Sequence, residues 1–215
     1  MVGKLRKGEN PDVKLLESMR LDPIDGVPLI ELHMARLSRT AVHFQFATPD
    51  TEAIRQDILS YKVESTVKLR LLYSSDGSYE LTHEALQPLI EPIRLRLAPE
   101  PIPANIDKDL LSFKTTQREV YDSFAAQKAD AADVVLYNRD GFVTETTIFN
   151  LFIMSPAGVL MTPPATLALL EGVYRQHLLN NGAQSRLIHV DELQDAGRIY
   201  VSNAVRGLLA AELAA

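Results

Sequence analysis

The chain has 215 residues, enough for one large domain or two small ones, and 46% are hydrophobic, the share expected of a globular protein with a sizeable core. A net charge of -6 argues against a nucleic-acid footprint, and the lack of cysteine excludes disulfides, thiolate metal sites and a cysteine nucleophile. Met1 to Pro11 is polar without the apolar core of a leader, and no apolar run approaches a membrane span, so a cytoplasmic protein without membrane contact is expected. Val13 to Leu21 predicts a strand, with Leu15, Met19 and Leu21 on one face and Lys14, Ser18 and Arg20 on the other; Leu16 and Glu17 disturb the alternation. Leu29 to Phe44 has helical spacing through Leu29, Leu32, Met34 and Leu37, with His33 and Arg36 on a neighbouring face. Pro49 and Asp50 open a second helix to about Leu59. Ser65 to Tyr73 alternates as a strand, and Ser74-Ser75-Asp76-Gly77 turns it into Tyr79 to His83. A further strand covers Ile93 to Leu97.

Pro99, Pro101 and Pro103 then fall within five residues, a composition that favours an extended connector. They set the expected division into an N-terminal α/β domain at residues 1–98, a linker at 99–110 and a C-terminal domain at 111–215. In the second half, Val120 to Ala131 predicts a helix. Asp133 to Asn138 and Phe142 to Thr146 form a hairpin across Arg139-Asp140-Gly141, and Asn150 to Met154 and Val159 to Met161 form another. A helix over Gly172 to Asn180 stops before Gly182, a short helix covers Asp191 to Ala196, and Ile199 to Ser202 is the expected final strand.

Several places could carry chemistry. Lys114 lies between Phe113 and a run in which Thr115, Thr116 and Glu119 read as helix-start residues. A lysine partly desolvated there would be an amine nucleophile; most lysines are instead solvated surface charges. Arg36 on its amphipathic helix can hold an anion bidentately or simply face solvent. Glu145 is the single charge in Gly141 to Phe152, so it is either a buried acid that needs a cation or an edge-strand residue facing water. Gly172 before a helix start leaves backbone N–H groups for an anion. Ser202-Asn203-Ala204-Val205-Arg206-Gly207 reads as a tight turn. The five histidines show no metal-ligand spacing, and no metal is expected.

In order, Glu17-Ser18-Met19-Arg20, His33-Met34-Ala35-Arg36-Leu37, Lys114, Glu145 with Asn150-Leu151-Phe152, Thr162-Pro163-Pro164 and Gly172-Val173-Tyr174-Arg175 resemble the class IV aminotransferases. The likeness runs from about Leu15 to Gly207. Phe113 to Asp122 and Ser202 to Gly207 look most like the 4-amino-4-deoxychorismate lyase branch. The resemblance implies the two-domain α/β fold of these enzymes, related to the D-amino-acid aminotransferases, with pyridoxal 5'-phosphate (PLP) between the domains. It makes Lys114 the Schiff-base lysine, Arg36 the phosphate clamp, and Val173, Tyr174 and Asn203 further phosphate ligands. Glu145 becomes the partner of the pyridine nitrogen, and Arg70, Arg118 and Arg206 the residues for substrate carboxylates. The activity implied is conversion of 4-amino-4-deoxychorismate to 4-aminobenzoate and pyruvate in folate synthesis, with a branched-chain or D-amino-acid transaminase as the alternative and a non-catalytic scaffold as a third reading. A homodimer, and a working partnership with aminodeoxychorismate synthase, are also implied. Glu171 departs from the pattern where a proline is usual, and Glu119 stands where branched-chain enzymes often carry a tyrosine. The chain is also short at its start, so shielding of the site from a second subunit is expected.

Overall fold

In the first strand Glu17 belongs with the buried face, and Leu16 is buried as well on the other. In the computed structural model, which describes residues 13–214, Leu15, Glu17, Met19 and Leu21 of β1 (Leu15–Leu21) are buried, whereas Ser18 and Arg20 are not. The stretch Met1 to Pro11 lies outside the described residues. Helix α1 (Ile30–Phe44) buries His33, Met34, Arg36, Leu37, Thr40, Ala41 and Phe44, the stripe of an amphipathic helix with two ionisable residues inside it. Helix α2 (Thr51–Ser60) starts where the Asp50 carboxylate accepts from Ala53 N–H at 3.0 Å. β2 (Val67–Tyr73) and β3 (Tyr79–Ala85) complete an antiparallel sheet in the order β1-β2-β3. Its inner face and the two helices enclose a core that includes Leu15, Met19, Leu37, Ile54, Ile58, Leu69, Leu71 and Tyr73. Each such large side chain contributes about 1.5–3 kcal/mol of burial.

This first compact unit covers residues 13–88 and also takes in Phe113–Gln117. Thr115 bridges Leu15, Leu16 N–H donates to Lys114 C=O at 2.9 Å, and Thr116 N–H donates to Lys14 C=O at 2.9 Å. Phe113 stacks on His43 with ring centroids 4.1 Å apart. That use of the segment overturns its reading as a helix start. The Thr116 hydroxyl accepts from Lys14 N–H and the Thr115 hydroxyl from Gln117 N–H, so neither caps the helix that follows. The cap there is Arg118, with no side-chain bond.

The second unit comprises Leu89–Ser112 and residues 118–214. In order it contains β4 (Ile93–Leu97), α3 (Asp109–Ser112), α4 (Glu119–Ala125), β5 (Asp133–Tyr137), β6 (Val143–Thr146), β7 (Asn150–Met154) and β8 (Leu160–Thr162). A 3-10 turn at Ala165–Leu167, α5 (Val173–Asn180), β9 (Gln184–Ser185), α6 (Val190–Gln194), β10 (Ile199–Asn203) and β11 (Gly207–Leu213) complete it. The strands form one sheet in the order β6-β5-β4-β11-β10-β7-β8-β9. β4, expected in the N-terminal domain, is a central strand here, parallel to both β5 and β11. The chain therefore divides at Pro88/Leu89 rather than at the proline run. Ile199–Asn203 is not the last strand: β11 follows, and its sequence GLLAAEL has no period-2 pattern to announce it. Helix α4 ends at Ala125, short of Ala131. Both units mix helices with sheet, and among the described residues no helix is long and apolar enough to cross a membrane.

Candidate active site

In the first unit the ionisable residues gather around Glu17. Its carboxylate takes the Arg36 guanidinium side-on, from Nε at 2.8 Å and from Nη2 at 2.6 Å, and lies 2.7 Å from His33 Nδ1. Burial alone would raise the Glu17 pKa, but the charge and hydrogen bonds of Arg36, with His33 behind them, reverse this and hold it at about 2. Burial lowers the His33 pKa, Arg36 and Lys114 push the same way, and Glu17 opposes them. A neutral His33 donates from Nδ1, and its Nε2 is buried with no hydrogen-bond partner. Arg36 is 7% exposed, so it does not face solvent. Lys114 is half-buried and near enough for its charge to act on His33. Arg70 is elsewhere: it pairs with half-buried Ser18 across β1, on the sheet face opposite Glu17.

In the second unit the organising group is Glu145. β6 is an edge strand, yet Glu145 is 4% exposed, which removes the reading in which it faces water. Its Oε1 accepts from the Tyr121 hydroxyl at 2.6 Å and from Leu170 N–H at 3.0 Å, and its Oε2 from Asn150 Nδ2 at 3.1 Å. Burial, then the charge of Glu145, raises the Tyr121 pKa well above its ordinary value, so this phenol is a donor at neutral pH. Its single proton serves two acceptors, Glu145 and the Leu111 carbonyl 3.0 Å away. The Arg118 guanidinium lies over the Tyr121 ring, 4.9 Å from its centroid, and donates to Thr147 C=O at 2.7 Å.

The turn after Glu145 is held from beneath. Asp133, 2% exposed, accepts from the Thr146 and Thr147 hydroxyls and from the N–H groups of Val134, Thr147 and Ile148. Asn203 reaches the same turn through Nδ2 to Ile148 C=O at 3.4 Å, while its Oδ1 accepts from Val205 and Arg206 N–H. Arg206 is half-buried, and burial lowers its pKa. Gly172 is the N-cap of α5 with no side-chain cap bond, so the helix presents Val173 and Tyr174 at its start. Glu171 is exposed, and its charge acts on Arg175.

Four residues here carry roles that the sequence reading gave to none of them. Tyr121 and Asn150 lay inside quoted motifs, but nothing in their spacing to Glu145 showed the contact. Arg175 is 3% exposed, donates to Pro163 C=O at 2.7 Å, and has a buried Nε without a hydrogen-bond partner. Burial lowers its pKa while Glu171 and Glu145 raise it, so the chain does supply a cation within electrostatic range of Glu145. Glu17 showed only as a break in the alternation of β1.

Comparison with known proteins agrees with these motifs. The profile of amino-transferase class IV matches residues 14–212. A Schizosaccharomyces pombe protein provisionally named aminodeoxychorismate lyase is 28% identical over 188 residues, 83% of this chain and 80% of its own length. The crystal structure of a protein from Mesorhizobium loti, provisionally named an amino-acid aminotransferase, superposes with a TM-score of 0.83 at 31% identity, over 94% of this chain and all of that one. The PLP-bound form of a Mycobacterium tuberculosis protein, described as a hypothetical aminotransferase, shares the fold at a TM-score of 0.78 and 19% identity, over 93% of this chain and 81% of that one. With its profile match running nearly end to end, the chain belongs to the class IV aminotransferases, a family of PLP-dependent enzymes.

Proposed function

We propose that this protein is a PLP-dependent lyase that converts 4-amino-4-deoxychorismate to 4-aminobenzoate and pyruvate. The observation that carries the cofactor half is Glu145: a buried carboxylate fixed by a phenol, a carboxamide and a backbone N–H is a rigid acidic partner for a protonated pyridine nitrogen. The residues present fit that group. In the second unit, Glu145 would serve the ring nitrogen, and the first N–H groups of α5, at Val173 and Tyr174, would take phosphate oxygens with help from Asn203. In the first unit, Lys114 would bind the aldehyde carbon, and Arg36, set side-on by Glu17, would bring a fixed positive charge to the phosphate. PLP, when bound, supplies an electron sink for the charge left as the C–H bond beside the substrate amine breaks.

Lys114 then has two tasks. It holds the cofactor, and its released amine takes the proton from the amine-bearing carbon. The C–O bond to the enolpyruvyl group breaks, the six-membered ring becomes aromatic, and the three-carbon fragment takes up a proton to become pyruvate. Arg118 and Arg206 would bind the two substrate carboxylates; Arg70, on the sheet face opposite Glu17, drops out of that role. Arg118 enters this role already oriented by the Tyr121 ring and the Thr147 carbonyl.

The lyase half is supported by the Schizosaccharomyces pombe relative and by the segments around Arg118 and Arg206. The Mesorhizobium loti relative favours a second reading, an aminotransferase acting on branched-chain or D-amino acids with the same cofactor residues. A product assay separates them. The purified protein with PLP should release 4-aminobenzoate and pyruvate in equal amounts from aminodeoxychorismate without a keto-acid co-substrate. Conversion of PLP to its pyridoxamine form by common amino acids, with no 4-aminobenzoate, would establish the aminotransferase instead. Borohydride should fix the cofactor to the peptide containing Lys114; labelling of another lysine would remove that assignment. The proposal extends to a cytoplasmic homodimer that takes its substrate from aminodeoxychorismate synthase, and light scattering reporting an active monomer would remove the dimer.

A further inference from the structure

Asn150 sits where two regions of the second unit meet. Its Nδ2 donates to Glu145 Oε2 at 3.1 Å and to Leu170 C=O at 2.8 Å. The N–H of the same Leu170 donates to Glu145 Oε1 at 3.0 Å, so both polar groups of one peptide residue are fixed to the acid or to the carboxamide beside it. Two residues on, a Cβ at Gly172 would overlap Asn150 Oδ1, so only glycine seats the carboxamide there. Gly172 N–H also donates to Leu170 C=O at 2.8 Å, and Gly172 C=O accepts from Gln176 N–H at 2.9 Å as α5 begins. Glu145, Asn150, Leu170 and Gly172 thus form one closed hydrogen-bonded frame that ends at the first turn of α5. Asn150 is 5% exposed. A carboxamide buried to this degree with its Nδ2 group held by two acceptors has a fixed orientation, because turning it over would set Oδ1 against the Glu145 carboxylate and the Leu170 carbonyl.

We infer that Asn150 is a positioning residue that fixes the distance between Glu145 and the start of α5, so that one ligand carrying a ring cation at one end and a phosphate at the other meets both at once. The inference rests on the PLP reading above. Its physical content is effective concentration: two weak contacts on one rigid ligand add fully only if their spacing in the protein is already correct. Freeing the Glu145 carboxylate from the α5 loop leaves each contact possible but removes their advantage as a pair.

The test compares three probes, each titrated into the apoprotein: PLP, pyridoxal without its phosphate, and inorganic phosphate. In Asn150→Ala, PLP should bind about tenfold more weakly or worse, while pyridoxal and phosphate each change by less than about threefold. Asn150→Ser keeps a neutral donor but is too short to span Glu145 and Leu170 C=O, so it should reproduce the selective loss with the apoprotein melting temperature within a few degrees of the unaltered protein. Gly172→Ala, which displaces the carboxamide, should give the same selective pattern. Proportional weakening of all three probes together with a large drop in apoprotein melting temperature would assign Asn150 a purely structural role and overturn the inference. Unchanged PLP binding in both Asn150 variants would also overturn it. Failure of the unaltered protein to bind PLP would overturn the functional reading itself, and the inference with it.

Discussion

Among the described residues each unit buries one glutamate on a strand, and the two are held in opposite ways. Glu17 meets a guanidinium side-on and an imidazole, all packed among the residues of α1 and the first sheet. Glu145 meets a phenol, a carboxamide and a backbone N–H. Removing the acid has different consequences in the two places. Without Glu17, a guanidinium at 7% exposure keeps its charge and loses its bidentate partner. Without the charge of Glu145, the phenol, carboxamide and backbone N–H remain for an amide to satisfy in part, and Arg175 loses one of the two carboxylates whose charge acts on it. Glu17 is therefore built into folding and into the aim of Arg36, whereas Glu145 can be neutralised at modest cost to the fold and at high cost to chemistry that needs an anion.

That contrast is sharpest in turnover. Glu145→Gln should lower turnover about a hundredfold or more, the scale of losing one preorganised electrostatic partner, with little change in the midpoint of urea unfolding. A Glu145→Gln protein that is unfolded but turns over normally per folded molecule would reverse the comparison. Next in size, Glu17→Gln should destabilise the protein by about 3–5 kcal/mol, the cost of leaving one partner of a buried pair unmatched. Urea unfolding measures this directly, and a loss below 1 kcal/mol would mean that the pair is not desolvated.

The Glu17 effect should also depend on pH with a definite sign. Its folded pKa, about 2, lies well below the 4.5 of an ordinary glutamate. Its contribution is thus complete above the unfolded value and is lost as pH falls through the folded one. The stability gap between the unaltered protein and Glu17→Gln should be constant from pH 7 to about 5 and narrow from there towards pH 2. A gap that widens on acidification would contradict the pairing. The smallest effect is expected for Tyr121→Phe, which removes the one proton shared between Glu145 and the Leu111 carbonyl. It should cost about 1 kcal/mol of stability and a several-fold loss of PLP affinity. A loss as large as that of Glu145→Gln would place the hydroxyl in the chemistry rather than behind it.

The sequence made most of the elements legible wherever side chains alternate cleanly. β2 reads directly as Val67, Leu69, Leu71 and Tyr73 against Lys68, Arg70 and Leu72, and α1 reads from its apolar spacing. It failed where backbone partners decide the outcome. The Thr115 and Thr116 hydroxyls are helix-start residues by pattern, but pairing of Phe113–Gln117 with β1 uses them otherwise. β4 looked like the end of one domain because nothing local states that its neighbours are β5, 38 residues away by register (Leu95 with Asp133), and β11, farther still (Leu95 with Leu213). At the site, Glu145 was visible as the single charge between Gly141 and Phe152, whereas Glu17 showed only as a break in the alternation of β1. Their partners were not, since Tyr121 lies 24 residues from Glu145 and Leu170 lies 25.

The short strip Phe113–Gln117 has one more consequence, for where this chain can be cut. β1 is the outer strand of its sheet, and the strip occupies its open side through Lys14 and Leu16. A fragment ending at Pro88 would carry all three strands and both helices of the first unit, yet it would leave that side of β1 bare, with the backbone groups of Lys14 and Leu16 unpaired. Exposed edges of this kind recruit other strands, so such a fragment should self-associate. The same cut removes Lys114. In this chain the strip that carries Lys114, the amine proposed to hold the cofactor, is also the strip that covers the open side of β1.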